Sequence, residues 1–216
     1  MSKRRPRLLD LFCGAGGAGM GYHRAGFDVV GVDIKPQKHY PFEFIQADAL
    51  EYLAAHGHEF DAIHASPPCE RFSRLTPRAY RNNHLDLIGV TRDLLLSFGK
   101  PYIIENVPDA RKLLQEPIML CGSMFGLRLE RHRYFEMPWY QKLSPFTCRH
   151  EPGPVLISGT TRRKTGRFEY PVEVCRAASG IDWMTRNELD KAIPPAYTGW
   201  IGRALVLHLQ EMEITR

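Results

Sequence analysis

The chain has 216 residues, of which 44% are hydrophobic, and this composition predicts a folded domain with one substantial core. No apolar run approaches the roughly 18 residues of a membrane-spanning helix, and the basic start leads directly into a predicted strand, so neither a membrane protein nor a secretory leader is expected. Five cysteines without regular spacing favour reduced thiols, as in a cytoplasmic protein.

Basic residues outnumber acidic ones, and the formal net charge of +5 favours a polyanionic partner. The arginines and lysines are also clustered along the chain. The clusters are Lys3, Arg4, Arg5 and Arg7; Arg71, Arg74, Arg78 and Arg81; Arg128, Arg131 and Arg133; and Arg162, Arg163, Lys164 and Arg167.

A glycine-rich turn, residues 13–21, follows the first predicted strand over residues 8–12. Such a turn between a strand and a helix lets backbone amides approach a ligand closely. The next predicted strand, residues 27–32, ends in Asp33, at a spacing typical of an acidic residue that binds ribose hydroxyls. Because no phosphate-binding lysine follows the glycines, a nucleoside such as S-adenosylmethionine fits better than a nucleoside triphosphate.

The third predicted unit combines a strand and turn over residues 44–49 with a short helix over residues 50–56. Asp48 lies at the end of this strand, where its carboxylate can accept a hydrogen bond from an adenine amino group. The same side chain is also a good amino-terminal cap for the following helix. The sequence leaves both roles open.

Cys69 is the candidate nucleophile. A short buried strand is predicted over residues 61–65, and Pro67 and Pro68 then stop it, so the cysteine lies on a stiff loop at the carboxyl end of the strand. In open α/β sheets ligands bind at that edge. The alternative is a buried structural cysteine after a turn.

A second candidate for chemistry is Glu105, which follows a predicted helix over residues 85–98 and a buried strand over residues 102–104. A carboxyl group that emerges from an apolar strand is costly to bury in its charged form, so its pKa should be raised. We therefore expect a proton donor, with a helix-capping glutamate as the alternative.

The chain resembles the DNA cytosine-5 methyltransferases, and its matching segments occur in the same order as the motifs of that family. The matching segments are the glycine turn Asp10–Gly17, Asp33, Asp48, Pro67–Cys69, Glu105–Val107, Arg131–Arg133 and Ile193–Tyr197. The resemblance implies an α/β class I S-adenosylmethionine-dependent methyltransferase fold, Rossmann-like with a mostly parallel sheet. It also implies a catalytic core over residues 1–136, a reduced target recognition insert over residues 137–171, and supporting helices over residues 172–216 that return to the core.

The activity that the resemblance implies is methyl transfer from S-adenosyl-L-methionine to C5 of cytosine in double-stranded DNA. Cys69 would attack C6 of a flipped-out base, and Glu105 would protonate N3. Asn106 would orient the loop after its strand. Arg131 and Arg133 would contact the base carbonyl and a flanking phosphate while lowering the thiol pKa.

The resemblance further implies two sets of binding residues. The set matched to the cofactor is Asp10, Phe12, Gly14, Gly16, Gly17, Asp33, Ile34, Asp48, Ala49, Pro67 and Tyr197. The set expected to contact DNA is Arg71, Arg74, Arg78, Arg81, Arg162, Arg163, Lys164 and Arg167. The first four of these follow Cys69 in the segment matched to the family's mobile catalytic loop, and the others form a basic turn in the insert.

The expected partner is double-stranded DNA, and the expected state is a monomer, with a dimer or a partner protein as alternatives. The resemblance favours a prokaryotic or phage-encoded, nucleoid-associated protein of a restriction-modification system. Methylation of a tRNA-like RNA at cytosine C5 stays open as a second function. A third, an inactive module that binds cofactor and DNA, is disfavoured because Cys69, Glu105 and Arg133 are all intact.

A zinc ion that stabilises the small insert is a further hypothesis, with Cys121, Cys148, His150 and Cys175 as its ligands. A segment of about forty residues has little core of its own, which is the argument for a metal. The spacing of Cys148 and His150 is unlike that of common zinc sites, and the other two cysteines are distant in sequence. The sequence therefore favours the absence of a metal.

Overall fold

The computed structural model describes residues 4–68, 87–140, 147–150, 153–155, 157 and 170–215. Seven strands form one sheet within these residues. They are β1 (Arg7–Leu11), β2 (Asp28–Asp33), β3 (Glu43–Gln46), β4 (Ala62–Ala65), β5 (Tyr102–Asn106), β6 (Ile118–Leu120) and β7 (Arg133–Glu136). The α-helices are α1 (Gly17–Ala25), α2 (Ala49–His56), α3 (Leu87–Ser97), α4 (Val172–Ser179), α5 (Arg186–Leu189) and α6 (Pro195–Ile214).

The order of the strands across the sheet is β3-β2-β1-β4-β5-β7-β6. The five strands from β3 to β5 pair in parallel, whereas β7 runs antiparallel to both of its neighbours. The carboxyl ends of the parallel strands therefore share one edge with the start of β7. This arrangement confirms the expected α/β fold with a mostly parallel sheet.

Apolar side chains cover both faces of the sheet, as expected for a mostly parallel sheet buried on both sides. Leu9, Leu11 and Ile63 belong to the core cluster on one face, and Leu8 and Ile103 belong to the cluster on the other. Successive residues of each strand alternate between these faces. The strands thus form a rigid base for the loops at their carboxyl ends.

The glycine turn between β1 and α1 is held by the last third of the chain. Helix α6 packs against α1, where Thr198 Oγ1 donates to the carbonyl of Ala18 at 2.8 Å. A Cβ atom on Gly21 would overlap the Thr198 hydroxyl and the backbone of α6, so only glycine permits this approach. Trp183 Nε1 also donates to the carbonyl of Ala15 at 2.8 Å.

Several element boundaries differ from the sequence-based expectations. Strands β6 and β7, of three and four residues, were not predicted. We also expected a strand over residues 155–157 from its run of apolar residues, and the structure shows a single bridge between Val155 and Leu129, with Leu156 outside the described residues. Helix α4 ends at Gly180, which has a positive φ of 70°. Among the helices of the described ranges, none combines the length and apolar composition that a transmembrane span requires.

Candidate active site

The ends of β4 and β5 bring Ser66 and Glu105 together. Ala65 pairs with Ile104 in the parallel register, so Ser66 and Glu105 each lie one residue beyond that pair. The backbone N–H of Ser66 also donates to the carbonyl of Leu11 on β1 at 3.2 Å. The loops after β1 and β4 thus both begin beside Glu105, at the edge of the sheet where ligands bind in open α/β folds.

Glu105 is a buried carboxyl group beside an arginine. Its Oε1 atom lies 3.0 Å from Nε of Arg133, and the two side chains are 7% and 13% exposed. Burial raises the pKa of Glu105 above its ordinary value, while Arg133, a hydrogen bond with Ser66 and the charge of Arg131 oppose this rise. Burial thus favours the protonated form of Glu105 and Arg133 favours its charged form, and the role of general acid stays a prediction.

A second buried glutamate shows what a purely structural role looks like in this fold. Glu136 accepts from Arg92 through both oxygens, at 2.7 and 2.8 Å, and also from Tyr102 Oη and Gln115 N. By contrast, Glu105 Oε1 is buried and has no hydrogen bond of good geometry among the residues that the structure describes, although Arg133 lies close. Hydrogen-bonding capacity is thus left over at Glu105 and not at Glu136.

Arg131 lies behind this pair and is itself buried. Its Nη2 atom donates to the carbonyl of Asp190 at 2.6 Å. Burial, and next the nearby charge of Arg133, lower the pKa of Arg131 to about 9. The hydroxyl of Tyr197 donates to the Arg131 carbonyl at 2.6 Å, and the Tyr197 side chain is fully buried. The hydroxyl of Tyr197 is thus used within the protein. The predicted contact of Tyr197 with the cofactor stays a prediction.

Asn106 connects β5 to the loop that follows β4. Its Nδ2 donates to the carbonyl of Pro67 at 3.0 Å, and its Oδ1 accepts from Val107 N at 2.9 Å. Both ends of the amide are used, so the side chain fixes the path of the chain two residues before Cys69. Cys69 itself lies outside the described residues, as do the DNA-contact candidates Arg71, Arg74, Arg78, Arg81, Arg162, Arg163, Lys164 and Arg167.

A buried chain of hydrogen bonds that the sequence analysis did not predict leads to Glu105. His64 lies within β4, with Nδ1 3.0 Å from Tyr22 Oη and Nε2 2.9 Å from Ser66 Oγ. Burial lowers the pKa of His64 to about 3, so the ring is neutral. In one consistent arrangement of the hydrogen atoms, Tyr22 donates to His64, His64 donates to Ser66, and Ser66 donates to Glu105. The signal in the sequence is a histidine within an apolar strand.

The glycine turn has the tight backbone that was expected of a cofactor cradle. Phe12, Gly14 and Gly16 have positive φ angles of 58°, 50° and 83°. A Cβ atom on Gly16 would lie 2.7 Å from Cδ of Pro41, and one on Gly17 would overlap the carbonyl of Ile193. Glycine is therefore required at both positions because other parts of the protein pack directly against the turn.

Asp33, at the end of β2, is fixed over this turn. Its Oδ2 accepts from Gly14 N at 3.0 Å and its Oδ1 accepts from Lys35 N at 2.9 Å. Each carboxylate oxygen has a further lone pair, which suits two ribose hydroxyls. The neighbouring Ile34 is 64% exposed, an apolar surface next to the carboxylate on which a base can lie.

Asp48 caps α2, which was one of its two expected roles. Its Oδ1 accepts from Leu50 N at 2.9 Å and from Glu51 N at 3.1 Å. The side chain is exposed, and both of these bonds use one oxygen, so capping is compatible with a bond to an adenine amino group. Ala49, the next predicted cofactor residue, is buried.

Asp10 is buried beneath the glycine turn rather than exposed to it. Its Oδ2 accepts from Tyr40 Oη at 3.2 Å, and its Oδ1 has no hydrogen-bond partner among the described residues. Burial raises the pKa of Asp10 to about 8. The side chain therefore stabilises the inner side of the turn, mainly in its protonated form at neutral pH.

Three of the four candidate zinc ligands come together, and the fourth does not. The ligand atoms of Cys121, Cys148 and His150 lie within 4.8 Å of one another and of His132. Cys175 is instead buried in the core cluster of α4, where Arg186 Nη1 donates to its sulfur at 3.5 Å. The inclusion of Cys175 was wrong, because α4 lies in a different part of the fold from the end of β6.

Comparison with known proteins places this site in a family. The sequence profile described as C-5 cytosine-specific DNA methylase matches residues 6–113. The chain is 32% identical to the type II methyltransferase M.FnuDI of Fusobacterium nucleatum, over 94% of the chain and 73% of the relative. It is also 32% identical to the type II methyltransferase M.XorII of Xanthomonas oryzae pv. oryzae, over 48% of the chain and only 28% of that protein.

Solved structures share the fold at low sequence identity. The Entamoeba histolytica methyltransferase EhMeth has a TM-score of 0.65 at 13% identity, over 94% of this chain and 98% of the other. The S. pombe Dnmt2 methyltransferase has a TM-score of 0.57 at 14% identity, over 96% and 99%. With the profile match and the relative from F. nucleatum, the glycine turn and the Glu105 cluster lead to one conclusion: the chain belongs to the C-5 cytosine-specific DNA methylase family.

Proposed function

We propose that the chain transfers a methyl group from S-adenosyl-L-methionine to C5 of a cytosine in double-stranded DNA. The observation that carries this proposal is the position of Glu105, buried against Arg133 at the sheet edge where the glycine turn and the loop towards Cys69 also begin. The two relatives named above are both type II methyltransferases by name.

The described residues fit the cofactor. S-adenosyl-L-methionine, when bound, supplies an electrophilic methyl group on a sulfonium. Asp33 would bind its ribose hydroxyls, the exposed Ile34 would contact its adenine, and Asp48 would accept from the adenine amino group. Beside Gly14 there is open space within 4 Å, which would accommodate the rest of the cofactor next to the turn.

Cytosine needs activation because its C5 is a poor nucleophile. In the proposed reaction the thiolate of Cys69 forms a bond to C6 while the Glu105 carboxyl group gives a proton to N3. The ring electrons thereby become available at C5. After methylation, a base removes the C5 proton and the Cys69–C6 bond breaks, which restores the aromatic ring and the thiolate. The proton on N3 returns to Glu105.

Arg133 and Arg131 would stabilise the two negatively charged groups of this reaction, the Glu105 carboxylate and the Cys69 thiolate. Arg133 stabilises the carboxylate form of Glu105 after its proton has left, because the two charged groups lie within 3.0 Å. Because Nη1 of Arg133 donates to the carbonyl of His132 at 2.8 Å, we assign the contact with the base carbonyl to Nη2. Arg131 donates from Nη2 to the carbonyl of Asp190, and its own carbonyl accepts from Tyr197 Oη. Its positive charge would favour the thiolate form of Cys69.

Access to the base requires that it leave the duplex. Flipping costs a few kcal/mol, which protein contacts to the backbone must offset. We assign these contacts to the arginines that follow Cys69 and to the basic turn Arg162–Arg167. In this scheme residues 1–136 form the catalytic core, residues 137–171 the recognition insert, and residues 172–216 its support.

The test measures incorporation of tritiated methyl groups into duplex DNA, with RNA of the same sequence as competitor. We expect incorporation into DNA by the wild type and by Cys175→Ser, the matched cysteine control, and none by Cys69→Ala. The alanine variant should still bind the cofactor, since the thiol contacts the base. Bisulfite sequencing of the product would place the methyl group on cytosine C5.

Trapping separates covalent catalysis from other routes. DNA that contains 5-fluorocytosine cannot lose a proton from C5, so wild-type protein should remain attached to it in denaturing gels. Incorporation into RNA but not into DNA would move the substrate class to RNA. Cofactor and DNA binding without incorporation into either would favour an inactive module, and a fully active Cys69→Ala variant would refute the covalent step.

A further inference from the structure

Four side chains with soft or imidazole ligand atoms converge beside the arginine pair. They are Cys121, His132, Cys148 and His150, and their ligand atoms all lie within 4.8 Å of one another. His132 Nε2 lies 3.4 Å from Cys148 Sγ and 3.2 Å from His150 Nε2. His150 Nε2 lies 3.0 Å from Cys148 Sγ and 3.3 Å from Cys121 Sγ.

These separations are close to, and slightly shorter than, the distances between ligand atoms in a tetrahedral metal site. Zn²⁺ binds cysteine sulfur at about 2.3 Å and histidine nitrogen at about 2.0–2.1 Å, so tetrahedral ligand atoms lie about 3.3–3.8 Å apart. Two of the four distances between atoms of this cluster, 3.3 and 3.4 Å, fall at the lower end of that range, and the other two, 3.0 and 3.2 Å, lie just below it. A small expansion of the cluster would therefore accommodate the ion.

The fold, rather than local sequence spacing, brings these residues together. Leu120 pairs with Arg133 in the antiparallel ladder of β6 and β7, so Cys121 and His132 form the next opposed pair beyond it. Residues 147–150 then approach this end of the ladder and contribute Cys148 and His150. The cluster thus joins the sheet to the predicted recognition insert.

Groups outside the four ligands support a metal site. His150 directs Nε2 into the cluster while its Nδ1 lies 3.3 Å from Glu130 Oε1, the arrangement in which a carboxylate fixes a metal-binding imidazole. Ser123 Oγ lies 3.6 Å from Cys148 Sγ, where a hydroxyl can donate to a thiolate. Two thiolates and two imidazoles would balance the charge of one divalent ion.

We propose that Cys121, His132, Cys148 and His150 bind one Zn²⁺ ion as a structural site. Four protein ligands close the tetrahedron and leave no position for a substrate or water, which distinguishes it from a catalytic zinc. Thiolate and imidazole ligands select zinc over the harder magnesium and calcium ions. The ion fastens residues 147–150 to the end of β6 and holds His132 in place between Arg131 and Arg133.

The ion therefore connects target recognition with the active site. The insert has too little hydrophobic core to fold alone. The zinc ion would supply the missing stability, and its ligand His132 lies between Arg131 and Arg133 in the chain. Loss of the metal should loosen residues 147–150 first. Binding of S-adenosyl-L-methionine, which involves the opposite end of the sheet, should continue.

The experiment measures metal content in full-length protein purified without a metal-affinity tag and under reducing conditions. We expect about one zinc per chain by elemental analysis in the wild type. Cys148→Ser and His150→Ala should lose it. Cys175→Ser and His58→Ala are the matched controls, and both should keep it. Cobalt in place of zinc should give the visible absorption of a tetrahedral thiolate site in the wild type and controls only.

A milder variant keeps the test valid if the ligand variants fail to fold. Glu130→Gln removes the exposed carboxylate and leaves all four ligands, so chelator competition should show a 10- to 100-fold weaker zinc affinity. Wild-type protein that contains no zinc and binds no cobalt after reduction would overturn the proposal. Zinc retained in Cys148→Ser, or unchanged affinity in both Glu130→Gln and His150→Ala, would overturn it equally.

Discussion

Replacing Arg133 with alanine should reveal the charge of Glu105 through the pH dependence of stability. Arg133 Nε and Glu105 Oε1 are 3.0 Å apart, and the two side chains are 13% and 7% exposed, respectively. Water can therefore compensate little for the loss of the ion pair. Burial already raises the pKa of Glu105, and Arg133 opposes that rise. In Arg133→Ala the pKa of Glu105 should rise further, until the carboxyl group is buried in its protonated form.

The size of the effect follows from the cost of protonation. From the ordinary pKa of 4.5, keeping Glu105 protonated at pH 7 costs at most about 3.4 kcal/mol, at 1.36 kcal/mol per pH unit. A folded-state pKa above the unfolded-state value gives a penalty that grows as pH rises and disappears below the unfolded value. At pH 5 the same limit is about 0.7 kcal/mol. Lost packing adds a term that does not change with pH.

Urea denaturation of wild type and Arg133→Ala at pH 7 and pH 5 measures this difference. The gap in unfolding free energy between them should narrow by roughly 2 kcal/mol at the lower pH. Arg203→Ala, an exposed arginine on α6, is the control and should show no such change. In a Glu105→Gln background, the loss of unfolding free energy caused by Arg133→Ala should be the same at pH 7 and pH 5. A gap of equal size at both pH values would refute the assignment of a buried, ionisable partner to Arg133.

Three further predictions concern separate parts of the molecule. Asp33→Ala should weaken S-adenosyl-L-methionine binding by about 1–3 kcal/mol in calorimetry, because a charged acceptor for the ribose hydroxyls is lost. His64→Gln should reduce the stability lost between pH 7 and pH 5 by about 2 kcal/mol, since burial lowers the pKa of His64 to about 3 and the folded state resists its protonation. Alanine at Arg162, Arg163 and Lys164 should weaken DNA binding and reduce the salt slope by up to about 3, with cofactor affinity unchanged.

Each of these changes has a result that would count against it. Asp28 lies at the other end of β2, so Asp28→Ala should leave cofactor affinity intact, and equal losses in both variants would point to a general effect on the strand. His58→Gln alters an exposed histidine and should leave the acid stability as it is. If the basic-turn variant keeps the wild-type salt slope, DNA must contact other parts of the surface.

The sequence was most informative where function depends on strand ends. Asp33 and Glu105 were predicted because each follows an apolar strand, and the carboxyl ends of parallel strands share an edge. The capping role of Asp48 was also foreseen, since an aspartate before a helix is a common cap. Local patterns sufficed in these cases because the relevant geometry is set within about ten residues.

Residues that depend on pairing between distant segments were missed. The link from His64 through Ser66 to Glu105 requires the register of β4 with β5, which no local pattern specifies. His132 was not considered as a metal ligand, because its partnership with Cys121 arises from two short strands, β6 and β7, that were not predicted. The same absence of register led to Cys175 being included.

The packing of α6 on α1 has a consequence for protein synthesis. Thr198 binds Ala18, which lies 180 positions earlier in the chain, and Trp183 binds Ala15, which lies 168 positions earlier. At the usual translation rate of about 5–20 residues per second, the first helix waits on the order of 10–40 s for its partner. During that interval the nascent chain exposes the apolar face around Tyr22 without its cover. We therefore expect ribosome-bound chains that stop before residue 195 to bind chaperones and to lack affinity for the methyl donor.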